Sequence, residues 1–428
     1  MHKSLQKFKK FLKTAGPGIV TGAADDDPSG IATYSQTGAQ FGYGQLWSMA
    51  WLLPLMVMVQ EACARIGAVN GKGLSAVIKE HYSKKVLFFV VALVFIANTI
   101  NIGADIGAMA EAARLLVPID FAILMLGFTA LILILEIFVS YKNYSKILKW
   151  FIISLLAYPI SMFLVAQPWA VILRATFVPN VELSFAFFFV ITGVLGTTIS
   201  PYMFFWEASQ EVEEEKEHHL INKAGVVHGL KKFLKNLKID NFIGMLASQL
   251  TAWCIIILAG TVLHSAGVLN IGTAADAARA LEPLVHSFPN AGLIAKALFA
   301  FGIIGLGLLA VPVLSGSASY ALTEAMNWRE GLNQKFKRAH GFYGVITIAT
   351  LIGLMINFLH IDPMRALVFA AVFNGVAAVP LLFLVAKIAR SKKIMGEYRS
   401  GMISNILVWL TFGVMFLSAI GMFYTLVK

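Results

Sequence analysis

The chain has 428 residues, of which 58% are hydrophobic, with a mean hydropathy of +0.76 and a formal net charge of +11 at pH 7. This composition excludes an ordinary soluble domain and is typical of a polytopic helical membrane protein. The apolar segments are about 20 residues long, as a membrane-spanning helix requires, and they lack the alternation expected of a transmembrane β-barrel.

The start of the chain, residues 1–14, is basic and amphipathic and contains MHKSLQKFKKFLK. It lacks a signal-peptide cleavage site and leads directly into the first apolar segment. We therefore predict a cytoplasmic interfacial helix here.

Eleven membrane-spanning helices are predicted from the apolar segments. They cover residues 15–40, 46–66, 86–110, 121–140, 147–168, 185–209, 241–264, 293–324, 341–360, 364–386 and 403–427. With the N-terminus inside, 28 of the 34 lysines and arginines lie in segments predicted to be cytoplasmic. This is the positive-inside bias of a multi-pass protein, which we place in the plasma membrane. The basic charge thus reflects topology, and no nucleic-acid partner is expected.

Two of these spans are interrupted. The first span contains DDDPSG (25–30) and the sixth contains TTISPY (197–202). Each proline lacks a backbone donor and frees the carbonyl one turn earlier. An unpaired carbonyl in hydrocarbon costs several kcal/mol, so such a break persists only where protein, water or an ion satisfies it. Three carboxylates at the first break indicate a cation site at membrane depth.

The breaks lie in spans one and six, so the chain divides into two five-span units, 15–168 and 185–386, followed by an extra span at 403–427. Together they form one transmembrane transport domain. An odd-numbered unit repeated once has its second copy inverted in the membrane. Interrupted helices at matching positions of inverted repeats mark the midplane site of a secondary transporter. The alternative is that both prolines only kink helices for packing.

The connecting segments carry little further chemistry. Residues 211–239 are predicted to be a charged cytoplasmic linker that is solvated and helical, with a metal role for His218 and His219 as the alternative. An outer loop, 265–292, contains a short amphipathic helix, AADAARALEPLV. The two cysteines are assigned to packing rather than to a disulfide. No resident cofactor is expected.

At the breaks the chain resembles a known family. GPGIVTGAADDDPSGIATYSQTGAQFGYGQLW (16–47), TGVLGTTISPY (192–202) and IDPMRALV (361–368) are similar to the NRAMP divalent-metal transporters. The resemblance extends over nearly the whole chain. It implies an all-α LeuT-type 5+5 inverted repeat, which agrees with the span count, and transport of a divalent metal ion across the lipid bilayer by alternating access.

The first break departs from the family pattern. NRAMP proteins have Asp-Pro-Gly-Asn there, and the Asp and Asn bind the metal. Here Asp27 and Pro28 are retained, whereas Ser29 and Gly30 replace the Gly and the Asn. We expect Asp27 to be the anchoring ligand and the loss of the Asn side chain at Gly30 to enlarge the site.

The second break departs further. The family's Ala-x-x-Met-Pro-His falls on Thr197, Ser200, Pro201 and Tyr202. A methionine thioether is a soft ligand that favours Mn, Fe, Co and Cd, whereas a serine hydroxyl favours hard ions. Mg2+ requires oxygen ligands and sheds water reluctantly. The pattern therefore resembles the NRAMP-related magnesium transporters, and we expect Mg2+ as substrate, with Mn2+ also accepted.

The groups that the family associates with proton movement are also replaced. An Asp and a Glu of its third span fall on Asn101 and Ala104, and Asp105 lies about 100° further round the helix. A second histidine of its sixth span falls on Glu207. These changes favour transport without proton coupling. The alternatives are a proton-coupled Mn2+/Fe2+ symporter and a cation channel; no motif predicts an enzyme.

We predict that Asp27 binds the metal through its carboxylate, Thr197 through its backbone carbonyl, and Ser200 through its hydroxyl, directly or through water. Both hydroxyl residues have the alternative of bonding to local backbone carbonyls. Of the two preceding acids, Asp25 and Asp26, one is expected to line the vestibule, and we include Asp26.

Three further residues complete the predicted set. Tyr202 either packs or contributes to the site, and Glu207 is expected to line the inner exit. Asn374 either hydrogen-bonds a hydrated ion or packs helices through its amide. We expect the protein to be a monomer.

Overall fold

The computed structural model describes residues 17–139, 155–217, 229–285, 290–359 and 361–427. Helices of eight or more residues in these ranges are labelled α1 to α15. They are α1 Pro17–Asp25, α2 Pro28–Phe41, α3 Trp47–Asn70, α4 Leu74–His81, α5 Lys84–Arg114, α6 Phe121–Phe138, α7 Ala157–Leu164, α8 Trp169–Phe177, α9 Phe185–Thr198, α10 Pro201–Glu217, α11 Leu230–Ala259, α12 Ala291–Met326, α13 His340–Ile356, α14 Pro363–Arg390 and α15 Met402–Val427.

Nine helices in the described ranges are long and apolar enough to cross a membrane, counting α9 and α10 as one interrupted span. The predicted first span is present as the pair α1 and α2, each too short to cross alone. The predicted fifth span begins outside the described residues, which contain only α7 of it. The predicted N-terminal helix (1–14), His218 and His219 also lie outside them.

The predicted helical linker 211–239 is confirmed as helical over the described residues 211–217 and 230–239, since α10 continues to Glu217 and α11 begins at Leu230. The predicted solvation is wrong for two of these residues, because Glu211 and Glu215 on α10 are buried. Sequence alone does not show this burial, since it depends on which surfaces the neighbouring helices cover.

Two short helical segments lie on the opposite side. The amphipathic helix predicted in the outer loop is confirmed as helical turns over 274–285. α8 was not predicted because nine residues cannot span a membrane. The indoles of Trp47 and Trp51 on α3 donate to the carbonyls of Asn180 and Phe177, at 3.1 and 3.3 Å, and so attach the end of α8 and the residues after it to the bundle.

Close helix contacts hold the interrupted spans at the centre of the bundle. α1 contacts α11 at Gly22, where a Cβ atom would lie 2.4 Å from the backbone of Gly244. α9 contacts α14 at Gly196, where a Cβ atom would lie 2.0 Å from the carbonyl oxygen of Ala371. Small residues permit such approaches between membrane helices. Many exposed apolar side chains lie instead on α6 and α15, as expected of a lipid-facing surface.

Candidate metal site

The first break places Asp27 at the N-terminus of α2. α1 ends at Asp25 and α2 begins at Pro28, and Asp27 has the extended backbone of an N-cap residue, with φ −66° and ψ 172°. Its Oδ1 accepts hydrogen bonds from the backbone N–H of Gly30 and the hydroxyl of Ser29, both at 2.7 Å. The helix dipole and these donors stabilise a carboxylate at this position.

The other carboxylate oxygen of Asp27 contacts α5. The amide Nδ2 of Asn101 donates to Asp27 Oδ2 at 2.9 Å, and both residues are buried. A carboxylate has about four lone-pair positions, so these three hydrogen bonds leave Asp27 able to bind a cation. We had not predicted Asn101 as a site residue. The sequence feature that could have indicated Asn101 is its polar side chain in an apolar span, one turn before Asp105.

Tyr202 connects the two breaks. Its hydroxyl donates to the carbonyl of Ala24 at 2.9 Å. Ala24 precedes Pro28 by four residues, so this carbonyl is the one that Pro28 leaves without a helical donor. The residue that replaces the family's histidine therefore satisfies the backbone of the first break in this conformation.

Ser200 contacts the backbone of the second break, where its one hydroxyl hydrogen is shared between two carbonyls. Its hydroxyl lies 3.0 Å from the carbonyl oxygen of Thr197 and 2.5 Å from that of Gly196. Thr197 precedes Pro201 by four residues, so its carbonyl is the one that Pro201 frees. Of the two alternatives for these hydroxyl residues, local bonding to backbone is the one seen for Ser200.

The space at Gly30 is filled. A Cβ atom at Gly30 would lie 3.0 Å from the carbonyl oxygen of Asp25, 3.2 Å from Thr197 Oγ1 and 3.4 Å from the ring of Tyr34. The enlargement expected from the missing Asn side chain is therefore wrong for this conformation. A backbone carbonyl, a hydroxyl and an aromatic ring border the volume that the side chain would occupy.

Asp25 and Asp26 both turn toward α11. The hydroxyl of Ser248 lies 2.5 Å from Asp25 Oδ2 and 3.2 Å from Asp26 Oδ1. A hydroxyl has one proton, so it serves only one of the two carboxylates fully. Asp25 Oδ1 is buried without a hydrogen-bond partner in the described residues. Both acids are fully or almost fully buried, so the vestibule role predicted for Asp26 requires a more open conformation.

Asp105 adds a fourth carboxylate to this region. Its side chain is fully buried, and neither carboxylate oxygen has a hydrogen-bond partner in the described residues. No ion pair found in those residues involves Asp105 or the three acids of the first break. Buried charge is costly unless it is paired. Either a bound cation or protons would therefore be needed to compensate these buried carboxyl groups.

Glu207 and Asn374 lie apart from the break. Glu207 is fully buried on α10 and accepts a hydrogen bond from the hydroxyl of Thr21 on α1, while its Oε1 has no partner in the described ranges. Both amide atoms of Asn374 are likewise buried without a partner there. Neither residue is hydrogen-bonded to Asp27 in the described residues.

Two further buried glutamates accept hydrogen bonds from neighbouring helices. Glu136 accepts a hydrogen bond from Ser315 at 2.5 Å, and Glu324 accepts from Ser209 at 2.8 Å and from the backbone of Ala76 at 3.1 Å. Both are buried between helices, where hydroxyl groups are closer than cationic side chains.

The family model described as "Natural resistance-associated macrophage protein-like" matches residues 18–425. This chain belongs to the Nramp family. It is 26% identical over 315 residues to the "Divalent metal cation transporter MntH" of Mesorhizobium japonicum, covering 70% of this chain. It is 26% identical over 311 residues to the protein of the same name from Listeria welshimeri. The chain spans 65% and 66% of the length of these two relatives.

Solved structures show the fold of this Nramp protein. A manganese transporter of Eremococcus coleocola, crystallised with an aromatic bis-isothiourea substituted compound, aligns with a TM-score of 0.76 at 16% identity and covers 97% of this chain and 87% of its own. Mhp1, a nucleobase-cation-symport-1 family transporter in a closed conformation, aligns at 0.58 and 12% identity, covering 96% and 91%. The predicted all-α LeuT-type fold is confirmed.

Proposed function

We propose that this Nramp protein transports divalent metal cations across the plasma membrane by alternating access, with Mg2+ as its main substrate and Mn2+ also accepted. The observation that supports this is the position of Asp27. It is a buried carboxylate at the unwound point between α1 and α2, among three further carboxylates that have no paired cation in the described residues.

The atoms around Asp27 favour a hard cation. Asn101, Thr197 and Ser200 offer amide, carbonyl and hydroxyl oxygens, and a serine occupies the position where the family has methionine. Mg2+ and Mn2+ are bound through oxygen ligands, whereas a thioether selects softer metals. An occluded ion would be held by Asp27, with the Thr197 carbonyl and Ser200 hydroxyl available once their mutual bond opens.

The proposed driving force is the ion gradient and the membrane potential. An inside-negative potential contributes about 2.3 kcal/mol per elementary charge per 100 mV, and a divalent cation carries two charges. We further propose a cytoplasmic N-terminus, a single transport domain and a monomer. Proton coupling is not required, because neutral Asn101 occupies the position of a family proton carrier.

A proton-coupled Mn2+ symporter is the second candidate. Its support is Asp105, which keeps an ionisable side chain on α5 near the residues that the family uses for protons. In liposomes with a pH dye inside, acidification of the lumen during Mn2+ uptake would favour this candidate over uncoupled transport.

The first prediction concerns Asp27→Asn in purified protein reconstituted into liposomes with an internal Mg2+ indicator. The substitution keeps the size of the side chain and removes the charge that anchors the ion. We expect Mg2+ uptake to fall at least about tenfold, the order of effect of removing a charge-assisted interaction.

Asp120→Asn is the matched control, because Asp120 is an exposed helix cap at the start of α6 and asparagine caps equally well. Its uptake should equal that of the wild type. The proposal would be wrong if Asp27→Asn transported Mg2+ normally, or if the wild type took up Cd2+ or Fe2+ but not Mg2+.

A further inference from the structure

Asp105 lies on the same face of α5 as Asn101. The two residues are four positions apart, so their side chains project one above the other, about 6 Å apart along the helix. Asn101 donates its amide hydrogen to Asp27, and its Oδ1 has no partner in the described residues. Asp105 lies within electrostatic range of both Asp27 and Tyr202.

These residues leave three buried oxygens of α5 without donors in the part of the chain that the structure describes: Asn101 Oδ1 and both carboxylate oxygens of Asp105. The amide of Asn357, the residue directly after α13, is near this part of α5, but its Nδ2 donates to the carbonyl of Gly103 at 2.8 Å. A buried carboxylate without a donor or counter-ion is costly and is normally found only where a ligand compensates it.

We propose that Asp105 is a second anchoring carboxylate for the transported divalent cation. The ion would pass between Asp27, on the interrupted span, and Asp105, on the continuous helix α5, with the Asn101 carbonyl oxygen between them. This rests on the proposed function and adds a ligand to it. Because the two carboxylates lie on separate helices, a divalent ion bound to both would draw α5 and the first break together.

The test measures Mn2+ affinity of the detergent-purified full-length protein by titration calorimetry, and Mg2+ uptake in liposomes, for the wild type and Asp105→Asn. We expect Asp105→Asn to weaken Mn2+ binding at least about tenfold and to raise KM for Mg2+ similarly, with a smaller change in kcat. Asp105→Glu, which restores the charge, should recover part of the affinity.

Glu111→Gln is the control on the same helix, because Glu111 pairs with Arg114 at 3.3 Å at the exposed end of α5. It should bind and transport as the wild type does. Wild-type Mn2+ affinity in Asp105→Asn would overturn the proposal. If that variant also lost a pH response of uptake, Asp105 would be a proton carrier instead.

A Mn2+-soaked structure of the wild type tests the proposal even if Asp105→Asn does not fold. Density about 2.1 Å from an Asp105 oxygen, or about 4 Å away through one water, would support it. An ion bound at Asp27 and beyond water-mediated reach of Asp105 would overturn it.

If the wild type transported no metal yet bound Mn2+ through Asp105, the transport proposal would fail and this site would stand. Normal wild-type transport with an unaffected Asp105→Asn would reject this inference alone.

Discussion

The carbonyl of Ala24 has no helical donor because residue 28 is proline, and the hydroxyl of Tyr202 occupies the donor position at 2.9 Å. The hydroxyl of Ser200 lies 2.5 Å from the carbonyl oxygen of Gly196 and 3.0 Å from that of Thr197, so it shares its one hydrogen between them. In a bilayer such carbonyls have no water to bond, so these two side chains stabilise the unwound backbone. The substitutions that distinguish this chain from the family pattern therefore also support its breaks.

The variant Tyr202→Phe tests whether the hydroxyl of Tyr202 stabilises the first break. It removes the hydroxyl and leaves the Ala24 carbonyl buried without a donor, so we expect a loss of about 1–3 kcal/mol of stability. The measurement is the thermal unfolding temperature in detergent without metal.

Tyr43→Phe is the control for that prediction. Tyr43 is half-buried and its hydroxyl bonds to Thr261 at 2.8 Å, where water can replace it. If both variants unfolded at the same temperature as the wild type, Tyr202 would not stabilise the break.

At the level of helices, glycines decide how closely the interrupted spans approach their neighbours. Gly196 on α9 contacts Ala371 and Gly375 on α14, one turn before the second break. Asn374 directly precedes Gly375, so this contact fixes its part of α14 against α9. Close packing of this kind is sensitive to single added atoms.

We predict that Gly196→Ala destabilises the protein strongly, by about 1–3 kcal/mol or more, because its Cβ would lie 2.0 Å from the Ala371 carbonyl oxygen and 2.2 Å from the Gly375 nitrogen. Gly127→Ala on α6 is the matched control. No atom lies within 4 Å of a Cβ there, so alanine should be neutral or slightly stabilising. Equal unfolding temperatures for the two variants would contradict this account.

At the level of the whole molecule, the structure is occluded. Asp27, Thr197, Ser200 and Tyr202 are all buried. On the side proposed to face the cytoplasm, two hydrogen bonds attach α1 to neighbouring helices. The backbone N–H of Gly18 donates to Asp240 at 2.8 Å, and the hydroxyl of Thr21 donates to Glu207. Opening toward this side requires these two hydrogen bonds of α1 to break.

We predict that Thr21→Val, which removes the bond to Glu207, increases opening on this side. The readout is labelling of Cys63, which is fully buried and within electrostatic range of Glu207. In a Cys254→Ser background, Cys63 should react several times faster with a thiol reagent, since loss of about 1 kcal/mol corresponds to roughly fivefold in an opening equilibrium.

Thr37→Val is the control for Cys63 labelling, because the Thr37 hydroxyl bonds only to the carbonyl of Thr33 in its own helix in the described residues. It should label at the wild-type rate. Equal rates in Thr21→Val and the wild type would show that the Thr21–Glu207 bond does not hold α1.

Much of the fold was predictable because hydrophobic length and proline position act locally. Both breaks, the helical spans and the outer amphipathic helix follow from such local signals. The burial of Glu211 and Glu215 and the volume at Gly30 were not predictable in this way. They depend on which surfaces neighbouring helices cover, and charge or side-chain size in the sequence does not report that.

The sequence by itself determined that the chain is an all-helical membrane protein with two proline breaks and an acidic first break, because these properties are set by composition and by the missing backbone donor of proline. Only the tertiary structure decided which side chains serve the freed carbonyls and which acids remain without partners. Tyr202, Ser248 and the pair Asn101 and Asp105 come from three different helices, α10, α11 and α5. Their roles at the break arise from helix packing across distances in sequence that no local pattern encodes.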